Sequence, residues 1–463
     1  MLNAENNKKQ SYTAIGIMSG TSSDGLDLAL CRFETTCYCL QEPFGHEDNI
    51  TGKHYIIRKG KLIGASERCD KNTNLYTECS AIWNFKILKT KTVPYSGTSW
   101  PERFIKAENM DGLGLMKLHR DFGRFTGDAV NNFIYCSEGS DTGIEKLTGI
   151  KPDLIASHGH TIFHRPAQGI TFQIGDGAEI AAITGITTIS DFRRLDVALG
   201  GQGAPLVPVG DELLFNQYDF CLNLGGFANI SFRESTKRVA FDICPANIVL
   251  NKIAQTLGHN YDKGGDIART GNVIDKLLQS LENLEYYRLA GPRSLGKEWL
   301  DEFFMPVIEK FTAAPEDKMR TVCEHIALRI ASALFKPPAH PFIKNKTRPE
   351  TKSSGYEKYD KTYTAFSKNK TNNNEEGFVS SETDQLSSLL ITGGGAKNGF
   401  LAELIAAKTA PVQIVIPEDN LIDFKEAVVF AFLGVRRIRN EPNCLASVTG
   451  ARKDNSGGII FIA

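Results

Sequence analysis

The sequence has no apolar run approaching the roughly 20 residues needed to cross a bilayer. Its opening stretch, Met1–Gln10, is polar and carries no apolar leader core. Among ten cysteines there is no CxxC pair, and Cys37-Tyr38-Cys39 is the one close pair. Thiols scattered in this way read as reduced and mostly buried, not as disulfides or a zinc site. Net charge is nearly absent as well: 53 Lys and Arg against 54 Asp and Glu leave −1 at pH 7. So even a balance gives no electrostatic reason to expect nucleic acid or a membrane surface as partner. A cytoplasmic protein is expected. What is present is length, 463 residues with 41% apolar side chains, enough for two domains with sizeable cores.

One stretch organises the rest. Two apolar runs, Ala14–Met18 and Leu26–Leu30, flank the loop Gly20, Thr21, Ser22, Ser23, Asp24 and Gly25. The pattern predicts a β-hairpin at the edge of a buried sheet. Its loop offers small hydroxyls, unobstructed backbone N–H groups and one carboxylate, Asp24. Clustered N–H donors form a nest for phosphate oxygens, and a carboxylate beside phosphates commonly holds Mg²⁺ through water. A lone Gly-rich turn would look the same, so the remaining chain must decide.

Cys31–Ser80 loses periodicity and reads largely as an insertion or long loop. Trp83–Tyr95 alternates like a strand and stops at Pro94. Leu118, Phe122, Phe125, Ala129 and Phe133 share one face of a predicted helix over 118–134. Asp153–Phe163 reads as one strand, Ala178–Thr184 as a helix and Ile186–Ser190 as a short buried strand. A mixed sheet with crossover helices follows. Phe220–Phe232 repeats the opening theme, two apolar runs around Gly225 and Gly226, and suggests an internal architectural repeat. Lys336–Gln385 is dominated by Lys, Asn, Thr, Ser and Glu with four prolines; such a composition predicts a disordered loop. The fold resumes with the strand Leu386–Thr392, the turn Gly393-Gly394-Gly395 and a helix from Asn398, which would present N-terminal N–H groups to a nucleotide. Glu426–Leu433 is a strongly apolar helix with Glu426 at its start.

Taken together, these motifs resemble the anhydro-N-acetylmuramic acid kinase family. The resemblance rests on Met18-Ser19-Gly20-Thr21-Ser22 with Asp24, Gly25 and Asp27, and on Ser157-His158-Gly159-His160-Thr161. Gln173-Ile174-Gly175-Asp176-Gly177, Asp191-Phe192-Arg193-Arg194 with Asp196, and Gly200–Pro208 continue it. Asn223-Leu224-Gly225-Gly226, Thr392-Gly393-Gly394-Gly395 with Asn398, and Glu426-Ala427 complete it. It implies an α/β protein of two actin-like (ribonuclease H-like) ATPase domains around a central cleft. The first would cover 11–208, with an insertion at about 37–80. The second would cover 209–445, with a disordered insertion at about 336–385, and 446–463 would return to the first.

The implied reaction consumes ATP and water, opens an anhydro amino sugar and phosphorylates O6, a step of peptidoglycan recycling. Opening an internal acetal needs a base for the attacking water, while the leaving oxygen can be captured by the γ-phosphoryl group. By resemblance the base is Asp191; taken alone, it could equally cap a helix or pair with Arg193 or Arg194. Asp196 competes for the role, although Arg193 and Arg194 are expected to pair it structurally. ATP would be held by Gly20, Thr21, Ser22, Ser23, Asp24, Gly25, Leu26 and Asp27, by Gly225 and Gly226, and by Gly393, Gly394, Gly395 and Asn398. Mg²⁺ would bind through water at Asp24. The sugar would meet Glu426, Arg193 and His158, with Glu426 as a helix cap the other reading. His158, His160 and His164 have metal-like spacing but no completing ligand, which favours hydrogen bonding over a metal site. A homodimer is implied too.

Several positions depart from the family pattern. Cys244 and Ala246 stand where it has glycines, Asn251 where it tends to have Asp, and His160 where it tends to have Gln. Bulk at Cys244 and Ala246 is expected to weaken nucleotide binding if the backbone there must approach the ligand or adopt positive φ. Two other readings share the motifs: a kinase of a different amino sugar, and a weak ATP-binding protein that acts through its Lys336–Gln385 loop as an interaction segment.

Overall fold

The computed structural model describes residues 8–20, 24–40, 56–58, 61–64, 78–135, 151–289, 294–335 and 387–463. The expected loop at Lys336–Gln385, and most of the insertion at 37–80, lie outside the described residues.

The first sheet opens with the long antiparallel pair β1 (Lys8–Ser19) and β2 (Gly25–Leu40). After a small separate hairpin, β3 (Ile56–Arg58) with β4 (Lys61–Gly64), the strand β5 (Glu78–Pro94) pairs antiparallel with β2. β6 (Leu154–Ser157) runs parallel to β1, β9 (Thr188–Ser190) lies parallel to β6, and β15 (Ile459–Phe461) closes the edge antiparallel to β9. The second sheet, in spatial order, contains β12 (Lys237–Pro245), β11 (Phe227–Glu234), β10 (Phe220–Leu224), β13 (Ser388–Thr392) and β14 (Gln413–Val415). Apart from the added edge strand β15, both sheets are wired alike: third, second, first, fourth, fifth, with only the second strand reversed. That shared wiring is the internal repeat, and it gives two α/β halves of the same topology.

Three cores hold the layers. On one face of the first sheet, Ile15, Ile17, Leu28 and Leu30 pack under helices α1 (Trp100–Ala107) and α2 (Gly112–Tyr135). Strand alternation turns Ala14, Ala29, Cys31 and Phe33 to the opposite face. There they meet α9 (Asp419–Ile438), which bridges the sheets. Helices α3 (Gly177–Thr184), α4 (Arg194–Ala198) and α5 (Pro208–Leu213) follow the first half. The second sheet buries Leu222, Leu224 and Ile391 against α6 (Asn247–Thr256), α7 (Pro315–Phe335) and α8 (Gly399–Thr409). Its other face turns Cys221 and Leu390 into the same core as α9 and the Val209–Phe215 segment.

Four expectations change. The first hairpin is interior, since β1 is flanked by β6 and β2, and β2 by β5. Cys31–Leu40 is not loop but the second half of β2. Asp153–Phe163 is not one strand: Gly159, at φ 75°, turns the chain, and His160–Arg165 (β7) pairs instead with Ile170–Ile174 (β8). A Cβ at Gly159 would sit 2.4 Å from the Ile174 carbonyl oxygen. Finally, α9 begins at Asp419, so Glu426 lies two turns inside it and is not a cap.

Candidate active site

Asp191 follows β9 directly and holds φ 59°, a left-handed conformation that L side chains other than Asn and Asp seldom adopt. The kink costs on the order of 1 kcal/mol and turns the carboxylate out of the strand line into a cavity of about 140 Å³. His119, His158, Thr171, Gln173, Asp176 and Arg194 line the same cavity, and Ile459 and Phe461 of β15 form a wall. Arg194 Nη2 pairs with Asp191 Oδ2 at 2.8 Å. Burial nevertheless holds the Asp191 carboxyl above the usual carboxylate range, with Arg194 pulling the other way. A group raised in this way loses its proton only as pH climbs through the raised value, so a base role gives an activity limb on the acidic side. Arg194→Met is expected to move that limb of kcat/KM to higher pH, since the largest influence opposing burial is then removed; a pH–rate profile checks it.

The sugar-facing candidates form a chain. His158 Nδ1 donates to the Gly159 carbonyl at 2.8 Å, so Nε2 is the acceptor for Arg193 Nε and Nη2 at 3.0 and 2.8 Å. Arg193 Nη1 also donates to the Gly203 carbonyl at 2.6 Å. Burial keeps His158 neutral, aided by Arg193, and lowers Arg193 to about 10 against the pull of Glu426. Glu426 is itself raised by burial, with Arg193 and Lys425 opposing. Among the three, His158 reaches the Asp191 cavity, while Arg193 fixes the His158 ring from its Nε2 side. His160 goes elsewhere, bonding Ser19 Oγ at 2.9 Å and stacking on Phe104 with centroids 3.7 Å apart; burial lowers it to about 4. No group of three His, Cys, Asp or Glu among the described residues is placed to hold a metal ion.

Asp196 is not paired with Arg193 or Arg194. It is fully buried, and its carboxylate accepts from Gly203 N, Thr449 Oγ1, Asn455 Nδ2 and the Cys444 thiol at 2.8 to 3.0 Å. Four converging donors explain why a base role passes it by: it is the knot tying the C-terminal segment to the loop beneath Arg193. Asp196→Ala leaves those donors unpaired and is expected to cost about 3–5 kcal/mol, read as a drop in denaturant midpoint.

The nucleotide candidates gather from both sheets. Gly20, Asp24, Gly25, Leu26 and Asp27 flank the first turn; Thr21, Ser22 and Ser23 lie outside the described residues. Asp27 accepts from Thr92 Oγ1 at 2.5 Å, and burial together with Asp24, Glu426 and Asp423 raises it to about 6. In the second half, the N–H groups of Ala246 and Ile248 donate to the Gly226 carbonyl, and Asn247 Nδ2 to Leu224 O, so α6 is clamped onto that turn. Gly393, at φ 83°, passes so close that a Cβ would lie 2.3 Å from Asn223 Oδ1. Asn398 caps α8 through Leu401 N at 2.9 Å. Cys244 and Ala246 are both fully buried in the second core, and Ala246, at φ −131°, does not adopt a positive φ.

A family profile described as anhydro-N-acetylmuramic acid kinase matches residues 106–341 and 348–463. The chain belongs to this kinase family. It is 32% identical to anhydro-N-acetylmuramic acid kinase of Mannheimia succiniciproducens, over 98% of this chain and 99% of that one. The relative of the same name from Vibrio parahaemolyticus is 32% identical over 96% and 97%. Among solved structures, a ROK family glucokinase from Streptomyces griseus with glucose and AMPPNP aligns over 91% of this chain and 98% of that one, at 11% identity and a TM-score of 0.33.

Within this family member, sequence reasoning missed His119, Thr171 and Gln173 as cavity walls. His119 was hidden in a helix chosen for its apolar face, yet the Gly175 N–H donates to its Nδ1 at 3.1 Å and leaves Nε2–H for the cavity. Gln173 stood inside a quoted motif without a role. Ile459 and Phe461 carried no signal, because only the pairing of β15 with β9 brings them there.

Proposed function

We infer that this phosphotransferase opens 1,6-anhydro-N-acetylmuramic acid with ATP and water to give ADP and N-acetylmuramic acid 6-phosphate. The observation that supports it best is Asp191, a carboxylate turned by a strained backbone into a cavity. In its ionised form it takes a proton from water as the oxygen attacks the anomeric carbon. The bond from that carbon to O6 breaks, O6 takes the γ-phosphoryl group, and ADP leaves. Arg194 holds the carboxylate, and neutral His158, fixed by Arg193, lines the sugar side.

ATP would lie across the turns at Gly20–Asp27, Gly225-Gly226 and Gly393–Asn398. Burial, with the neighbouring charges of Asp24, Glu426 and Asp423, raises the Asp27 carboxyl to about 6, and a hard cation with oxygen ligands beside the phosphates would relieve that repulsion. Mg²⁺ would be held at Asp24 through water, and it would offset phosphate charge.

The test is product analysis after incubation with ATP and the anhydro sugar. One ADP per newly formed reducing end, with phosphate on O6, is the expected result. A phosphorylated sugar that keeps its anhydro bridge would replace this reading with an ordinary hydroxyl kinase.

A further inference from the structure

Among the described residues, few buried side-chain polar atoms lack a hydrogen-bond partner: they are in Thr35, Gln173, Arg238, Arg320, Arg329, Asn455 and Ser456, and in Asp211, whose Oδ1 is ion-paired with Lys425 instead. Only one of them, Gln173 Oε1, belongs to a residue lining the Asp191 cavity. Gln173 is 9% exposed and sits on β8, two residues from Thr171 and so on the same strand face. One N–H of its amide donates to Thr171 Oγ1 at 2.9 Å, and that oxygen lies 3.1 Å from His164 Nδ1. The side chain is therefore fixed with an acceptor left over. A buried carbonyl without a donor is costly, and native structures keep such atoms where something else completes them.

We propose that Gln173 Oε1 accepts the amide N–H of the substrate's N-acetyl group and is the residue that selects an N-acetylated sugar. The inference rests on the kinase reading above and deepens it. An acceptor excludes a carboxylate by lone-pair repulsion, so the lactyl acid of the sugar does not fit there. The donors that remain on the anhydro sugar are the amide at C2 and a hydroxyl at C4. Asp191 must face C1, and C2 is bonded to C1, so the amide is the donor that shares a small cavity with the base. A donor for the acetyl carbonyl completes the amide. His119 Nε2–H, with Nδ1 occupied by Gly175, supplies a donor for the acetyl carbonyl. Phe172 and Phe461, in the same lining, suit the methyl group.

A four-cornered comparison tests it: wild type and Gln173→Leu, each with 1,6-anhydro-N-acetylmuramic acid and with its counterpart bearing hydrogen at C2. The wild-type preference for the acetamido sugar, as a ratio of kcat/KM, is expected to fall about ten- to a hundredfold in the variant, mainly through KM. Gln173→Glu keeps the shape and an acceptor oxygen and is expected to recover part of that ratio. An equal loss on both sugars, or no loss, overturns the inference. Should wild type release ADP with neither sugar, the kinase reading fails on its own. Calorimetric binding without ATP then decides the role of Gln173 by the same ratio: a preference lost in Gln173→Leu supports it, and no preference refutes it.

Discussion

Asp191→Asn is expected to fold like the wild type and to release ADP at least about a hundredfold more slowly, the lower range for loss of a general base. The substitution isolates chemistry from architecture for a specific reason. At φ 59° most side chains would add strain, but Asn is the residue that tolerates this conformation best after glycine. The amide can still meet Arg194, although it cannot accept a proton from water. Steady-state ADP release and a nucleotide titration separate the effects: kcat falls while ATP affinity is kept. Asp191→Ala, by contrast, should lose both turnover and stability, because Ala gains nothing locally at positive φ. If Asp191→Asn turns over like wild type, Asp191 is not the base.

The largest structural effect is expected at Gly16. A Cβ added there would lie 1.8 Å from the Ala427 carbonyl oxygen and 2.6 Å from the Ala431 nitrogen. Both are backbone atoms of α9, so no rotamer change relieves the overlap, and the helix must leave the sheet. Gly16→Ala should therefore cost about 3 kcal/mol or more, measured by denaturant unfolding. Because Glu426 immediately precedes Ala427, the same displacement moves Glu426 and, with the sugar-facing role proposed for it, should raise KM for the sugar in whatever protein still folds. A fully stable Gly16→Ala would show that α9 is not seated as closely as described.

Much of this was legible in the chain. Alternation in Ala14–Met18 and Leu26–Leu30 located β1 and β2, and the repeat at Phe220–Phe232 foreshadowed the second sheet of the same wiring. Local pattern failed where distant contacts decide. Strand propensity carried through Asp153–Phe163 because nothing nearby announces that Gly159 must approach Ile174. Asp196 looked like a partner for adjacent arginines, yet its donors come from Cys444, Thr449 and Asn455, some 250 residues on. Glu426 looked like a helix start because apolar residues begin there, whereas the preceding two turns of α9 are helical with mixed polarity. The cavity was half visible: Asp191 and His158 came from motifs, while Gln173 acquired a role only once its unspent oxygen was seen.

Helix α9 is fastened at three places. Its Ile422 carbonyl accepts from the Gly393 N–H at 3.2 Å, beside the nucleotide turn. Lys425 Nζ meets Asp211 Oδ1 at 2.7 Å, both side chains nearly buried between the halves. Farther along, Gly434 lets it lie against Leu154 and Ala156 of the first sheet. A rod pinned to both sheets ties them along one line, so any turning of one half against the other would have to take place about it, and Glu426, beside the Lys425 pin, would be displaced least.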